Sequence, residues 1–270
     1  MIMKHGKRIL AVFCAAALSL SFTACAGKKS ATLKVGASPA PHAEILEAAK
    51  PLLAEQGIEL EIVEFDDYVL PNTALSDGDL DANYFQHQPY LDTFNAGNGT
   101  DLISAASIHY EPLGIYPGRA ASLEALADGG KVAVPNDGSN EARALYLLEA
   151  NGLIKVNHDV GYEATVLDVT ENPKNIEIIE LDADKIPGAL PDVDLAVING
   201  NYAIGAGVND TVLVTEDPNG DSAKTYANII AVRPGDETRE DIKALVDVLK
   251  SDEIRSFMEE KYAGSVVPVV

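Results

Sequence analysis

Between Leu33 and Val232 short apolar runs alternate with segments whose apolar residues recur every three or four positions, the pattern of an α/β protein with largely parallel sheets. Leu33–Ala37 predicts a strand, and Ile45, Leu46, Ala49, Leu52 and Leu53 share one face of a helix that Gly57 closes. Pro51 lies inside that helix and predicts a kink or a break, because proline removes a backbone donor and crowds the preceding turn. Glu59–Phe65 alternates with period two, as a half-buried strand does. A short helix over Pro71–Leu75 and a turn over Ser76–Asp79 lead into a strand-to-helix junction that ends near Leu91, and Leu102–Ile108 predicts the next strand. An extended segment starts at Glu111, and from Ser122 the order restarts: a helix, the strand Lys131–Val134, the polar loop Pro135–Asn140, and a helix closed by Gly152. Ile176–Leu181, Leu195–Ile198 and Asn228–Val232 are further strands. Amphipathic helices around Ile242–Leu249 and Ile254–Tyr262 are placed to return onto the first half.

Composition singles out one stretch of this pattern. The chain has no Trp and only 6% aromatic residues, yet Asp79–Leu91 gathers Tyr84, Phe85, His87 and Tyr90 among amide side chains. Flat rings beside hydrogen-bonding groups suit a small apolar ligand with polar ends, although the same rings at a strand-to-helix junction equally fill a core. If the stretch is a strand, Tyr84 and Phe85 point to opposite faces and only one of them reaches a cleft.

Ligands of open sheets collect at strand carboxyl ends and helix amino ends. Tyr68, His87, Tyr90, His109, Glu111 and Asn199 occupy such ends. Asn140 is a candidate helix cap, with Arg143 in the first turn behind it, where a cation opposes the helix dipole unless an anion is bound. The alternative is an exposed Arg143 paired with Glu141 or another surface acid. Asn199 and Asn228 carry amides able to orient an ammonium and a carboxylate together, but asparagine at a strand end is also a common turn residue.

The amino terminus assigns the compartment. Lys4, Lys7 and Arg8 precede an apolar run from Ile9 to Phe22, which reads as a secretory signal over residues 1–24. It ends in Phe22-Thr23-Ala24-Cys25, which resembles a bacterial lipobox with Phe where Leu is usual. The resemblance implies lipidation of Cys25, a short tether over 25–31, and a protein anchored by lipid on the extracytoplasmic face of the cell membrane. Cys14 leaves with the signal, so one cysteine remains, and no internal disulfide or cysteine metal site is possible. Removing three positive charges moves the formal net charge from −22 to −25. That excludes nucleic acid as a partner and disfavours adsorption to anionic lipid.

Against this background Asp81-Ala82-Asn83-Tyr84-Phe85-Gln86-His87-Gln88-Pro89-Tyr90-Leu91 resembles the signature of the methionine-binding lipoproteins of bacterial ABC importers. The likeness continues through Val132–Asp137, Val169–Asn175 and Ala196–Asn199. It implies a two-lobed periplasmic-binding-protein fold of type 2, with two crossover segments and a ligand cleft between the lobes. Residues 32–112 with 228–270 would form the first lobe and 113–227 the second. Tyr68, Phe85, His87 and Tyr90 would surround the side chain of L-methionine, and Arg143 would grip its carboxylate, with Asn140, Asn199 and Asn228 completing the polar end. His109 and Glu111 are further candidates, with packing near the crossover as the alternative role. The partners implied are L-methionine, a permease with its ATPase, and the membrane through the lipid, for a monomer without cofactor or metal.

Rival functions leave weaker traces. Gly-x-Ser-x-Gly, His-Glu-x-x-His and phosphate-loop motifs are absent, so no enzyme is indicated. His42, His87 and His109 with Glu111 would have to converge to hold a metal ion, at no diagnostic spacing. Another apolar amino acid or a methionine-containing dipeptide stays open, because one methylene is worth only about 1–3 kcal/mol in such a pocket.

Overall fold

The computed structural model describes residues 31–269. The predicted signal, Cys25 and most of the tether lie outside the described residues. β1 (Ala31–Ala37) takes in Ala31, the last residue read as tether, which pairs with Ile58. A kinked segment over Pro39–Ala43 leads to α1 (Glu44–Glu55) and β2 (Ile58–Glu64). Then follow α2 (Leu70–Asp77), β3 (Ala82–His87), α3 (Gln88–Asn98) and β4 (Ile103–Tyr110). After a first crossover come β5 (Gly114–Pro117), β6 (Lys131–Pro135), α4 (Gly138–Ala150) and the ribbon β7 (Lys155–Val156) with β8 (Val169–Glu171). β9 (Glu177–Leu181), α5 (Ile186–Ala189), β10 (Leu195–Ile198), α6 (Gly200–Gly205) and β11 (Val214–Thr215) complete that unit. A second crossover carrying α7 (Asp221–Thr225) returns to β12 (Ala227–Val232), α8 (Glu240–Leu249), α9 (Asp252–Tyr262) and β13 (Val267–Pro268).

Two sheets result, one in each lobe. The first runs β13-β4-β12-β3-β1-β2, with β12 antiparallel between β3 and β4. The second runs β11-β5-β10-β6-β9, parallel from β10 to β9 and antiparallel at β5. Leu33 and Val35 of β1 pack with Ile45 and Leu46 of α1 and with Ile242, Leu245, Ile254 and Met258 of the two late helices. These helices therefore do return to the first lobe. Each such side chain contributes about 1.5–3 kcal/mol by leaving water. Val132, Val134, Leu145, Leu148, Leu195 and Val197 form the corresponding core of the second lobe.

Two local predictions are corrected. α1 runs through Pro51 without a break. Pro51 and Glu47, whose carbonyl loses its donor, both lie on the exposed face, so water satisfies the orphaned oxygen. The helix predicted from Ser122 does not form, and residues 119–130 are turns and bends. Few residues separate Ser122 from Asp128-Gly129-Gly130, too short a run to repay helix nucleation, and Gly129 takes φ +70° to close the loop on Lys174. Leu126, 1% exposed, pins this loop into the second core.

Replacing Pro51 by Ala restores the missing donor on an intact helix. The expected outcome is a gain of about 1–2 kcal/mol in unfolding free energy by urea titration, the helix penalty of proline being partly offset by its restriction of the unfolded chain. A loss of stability would contradict the solvated-carbonyl account.

Candidate functional site

A narrow cavity lies between the lobes. Tyr68, Phe85, Gln86, His87, Tyr90 and Asn228 line it from the first lobe, Asn140, Arg143, Gly200 and Asn201 from the second, and Glu111 of the first crossover stands between them. Its aromatic end is built by β3 and the segments beside it. The ring centroids of Tyr68, Phe85 and Tyr90 lie 5.6–6.0 Å apart, and the Tyr90 hydroxyl donates to the Tyr68 carbonyl at 3.0 Å. His87 caps α3, its Nδ1 accepting the Tyr90 N–H at 3.2 Å. That leaves Nε2–H to donate across the cleft to Asn140 Oδ1 at 3.1 Å. Burial, with Arg143 nearby, pushes the His87 pKa down to about 3, so the ring is neutral.

Phe85 owes its direction to an irregularity that alternation does not foresee. Ile229 pairs with Gln86 and Ile230 with Tyr84, so Phe85 is an extra residue bulged from the ladder. Asn83 and Gln86, three apart, thereby meet on one face and share a closed amide network with Asn72, at 2.6–2.9 Å. Tyr84 is fully buried in the first core, while Phe85 faces the cavity.

The polar end is built on α4. Asp137 caps this helix, accepting the Asn140 N–H at 3.1 Å, so the predicted cap at Asn140 is corrected and Arg143 falls in the second turn. The Asn140 amide also donates to Asp137, at 2.9 and 3.1 Å, and its Oδ1 accepts from Asn199 at 2.9 Å. Glu141 is not the partner of Arg143, because its carboxylate accepts the Val166 N–H. The anion is Glu216 of the second crossover. Arg143 Nε and Nη2 reach its two carboxylate oxygens at 2.9 and 2.5 Å, and Nη2 also donates to the Glu111 carbonyl at 2.9 Å. The Tyr226 ring lies 4.3 Å beneath the guanidinium. Glu216 further accepts from the Tyr110 hydroxyl at 2.6 Å and the Leu113 N–H at 2.8 Å. Burial alone would raise its pKa, but Arg143 and these donors hold it below the usual carboxylate range. Nη1 of Arg143 makes no hydrogen bond to another described residue and is free for a ligand.

Of the sequence candidates, Asn199 and His109 do not line the cavity. Asn199 supports Asn140, with its own Oδ1 left without a partner, and Asn201, the second residue of α6, presents its amide instead. Asn201 also accepts from the Tyr68 hydroxyl at 2.5 Å across the cleft, as Tyr202 donates to the Asp66 carbonyl at 2.9 Å. His109 is wholly buried behind Glu111, hydrogen bonded to it at 2.7 Å and to Tyr84 on its other side. His42, His109 and Glu111 place ligand atoms within 4.8 Å of one another, whereas His87 stands apart on Asn140. Among the described residues no helix is long and apolar enough to cross a membrane.

Known proteins share this arrangement along almost the whole chain. A family model described as NlpA lipoprotein matches residues 33–270. The chain belongs to the NlpA lipoprotein family. A relative named methionine-binding lipoprotein MetQ, from Bacillus subtilis, is 42% identical over 251 residues, covering 90% of this chain and 89% of the relative. The solved structure of a nutrient binding protein from Burkholderia cenocepacia bound to methionine has a TM-score of 0.84 at 42% identity, covering 88% of this chain and all of that one (100%). An ABC transporter, periplasmic substrate-binding protein from Coxiella burnetii gives 0.82 at 40% identity, with 88% and 100% covered. The two-lobed α/β fold is that of these substrate-binding proteins.

Two predictions follow from the charges of this family member's cleft. Glu216→Ala leaves Arg143 buried without a counter-charge and should cost about 3–5 kcal/mol of stability in urea, against about 1 for an ordinary exposed acid. The pairing contributes stability that is full above the unfolded carboxylate pKa and is lost as pH falls through the lowered folded value. His42, His87 and His109 have folded pKa values of about 4, 3 and 3, below the ordinary value near 6.5. Each contributes stability that is full above pH ~6.5 and declines toward the folded value on acidification. Their ring resonances by NMR should therefore stay flat between about pH 7 and 5; titration in that window would show that the rings are not shielded from water.

Proposed function

We propose that the protein is the extracytoplasmic substrate-binding lipoprotein of an ABC importer, capturing methionine between its lobes and delivering it to a permease with its ATPase. As a member of a family of substrate-binding lipoproteins it is a binding protein and not an enzyme. The observation that carries the ligand reading is the polarity of the cavity: three aromatic rings at one end and a guanidinium with three amides at the other. A thioether fits the rings, since sulfur–aromatic contacts add about 0.3–1.5 kcal/mol to burial. The free Nη1 of Arg143 fits the α-carboxylate, and the amides of Asn140, Asn201 and Asn228 fit the remaining polar atoms. In this reading Asn199 acts through Asn140 without touching the ligand.

The same reading assigns residues 32–112 with 228–270 to one lobe, 113–227 to the other, and the membrane anchor to a lipid on Cys25. The protein works as a monomer, closing its lobes on the ligand and presenting both to the permease.

Mass spectrometry of small molecules released from the denatured protein should recover methionine, and ligand-stripped protein should give a one-to-one heat with L-methionine by calorimetry. Recovery of a different amino acid or a dipeptide, with no methionine heat, would overturn the assignment. Phe85→Ala should weaken methionine binding by about 1–3 kcal/mol, roughly ten- to a hundred-fold, because it removes one wall of the thioether pocket. Unchanged affinity would take Phe85 out of the site.

A further inference from the structure

The buried group His42, His109 and Glu111 has no task in the function proposed above. Both imidazoles turn Nε2 toward Glu111 Oε1, His109 from 2.7 Å and His42 from 3.4 Å. Their partners fix the tautomers. The Tyr84 hydroxyl donates to His109 Nδ1, so His109 Nε2 carries the proton that points at Glu111. His42 Nε2 faces two acceptors, Glu111 and Asn228 Oδ1 at 3.1 Å, so it too is protonated, while its Nδ1 has no partner. Burial keeps both rings neutral, and neither supplies a positive charge.

The cation that lines the cavity is already engaged. Arg143 spends Nε and Nη2 on Glu216 and reaches only the backbone carbonyl of Glu111. Arg143 is thus matched by Glu216, whereas Glu111, 5% exposed, is the carboxylate that lines the cavity itself and it has no counter-charge. Its place is fixed on the far side by Gly200, where an added Cβ would stand 2.7 Å from Glu111 Cβ and 2.8 Å from Oε2. Burial raises the Glu111 pKa, and a cation set beside it would favour the charged form again, so a buried carboxylate among neutral donors is a site made for a cation. A metal ion would need the lone pairs of both Nε2 atoms, which here carry protons toward acceptors.

We propose that Glu111, held in place by His42 and His109, is the counter-charge for an ammonium group of the ligand and selects amino acids over otherwise identical hydroxy acids. The inference rests on reading the cleft as a methionine site, and it names the group that recognises the amino end. A hydroxy acid brings its carboxylate into the cleft with no positive charge to set beside Glu111, so the like charges repel.

The test titrates ligand-stripped protein with L-methionine and with its hydroxy analogue, 2-hydroxy-4-(methylthio)butanoate. The wild type should prefer methionine by about a hundred-fold or more, on the scale at which an unpaired buried group discriminates. Glu111→Gln should lose about ten-fold or more for methionine and little for the hydroxy acid, so that the preference collapses. Equal affinity of the wild type for both ligands overturns the inference without any variant, so the test stands even if Glu111→Gln does not fold. A full preference retained in folded Glu111→Gln overturns it as well, and so does a stoichiometric metal ion in the purified wild type. Wild-type protein that binds no methionine overturns instead the ligand reading on which this inference stands.

Discussion

The charged end of the cleft is arranged around one buried ion pair. Arg143 comes from a helix of the second lobe, Glu216 from the second crossover, and the contacts of both reach Glu111 and Leu113 of the first crossover. The Glu216 N–H also donates to the Leu113 carbonyl at 3.0 Å, so the two connecting strands run side by side. A guanidinium this deeply buried is tolerable only with a matched anion. Once it is matched, its orientation is set, and the edge left over faces the cavity. The same pair that ties the crossovers together therefore also aims the ligand-facing donors.

The apolar end follows a different logic. Here direction comes from backbone geometry, because the bulge at Phe85 turns a ring toward the cleft that a regular strand would share evenly with its neighbours. Asn72, Asn83 and Gln86, brought to one face by the bulge, satisfy one another's buried side-chain amides. The rings sit on β3, α3 and the loop before α2, whereas the charged groups sit on α4 and the first crossover, with the amides of Asn201 on α6 and Asn228 on β12 beside them.

Much of this was legible in the sequence, and what was not has specific causes. Strand and helix order came through because β1, β2, β6, β10 and the two late helices carry unambiguous apolar periods. Pro51 misled because helix tolerance depends on which face meets water, and the segment after Ser122 because nucleation depends on length. In the site, Phe85, His87, Tyr90 and Arg143 stood out as unusual types at strand or helix ends, and the structure brings them to one cavity. Glu216 was invisible, one of 42 acidic residues with nothing local to mark it, since its role comes from long-range pairing. Asn201 was hidden by Asn199 two residues earlier; only the start of α6 decides which amide faces in. His42 lies 67 residues before His109, so their meeting on Glu111 needed the folded sheet.

The hydrogen bonds that cross the cleft directly, from His87 to Asn140, Tyr68 to Asn201 and Tyr202 to Asp66, are uncharged. Each is worth about 0.5–1.5 kcal/mol net, because water replaces it when the lobes part. Their sum is of the same order as the few kcal/mol by which a single ligand shifts a two-state equilibrium. Such a clasp does not hold itself shut. An occupant that adds contacts to both lobes adds to this clasp, so in the proposed reading discrimination between occupants is expressed in how long the cleft stays closed.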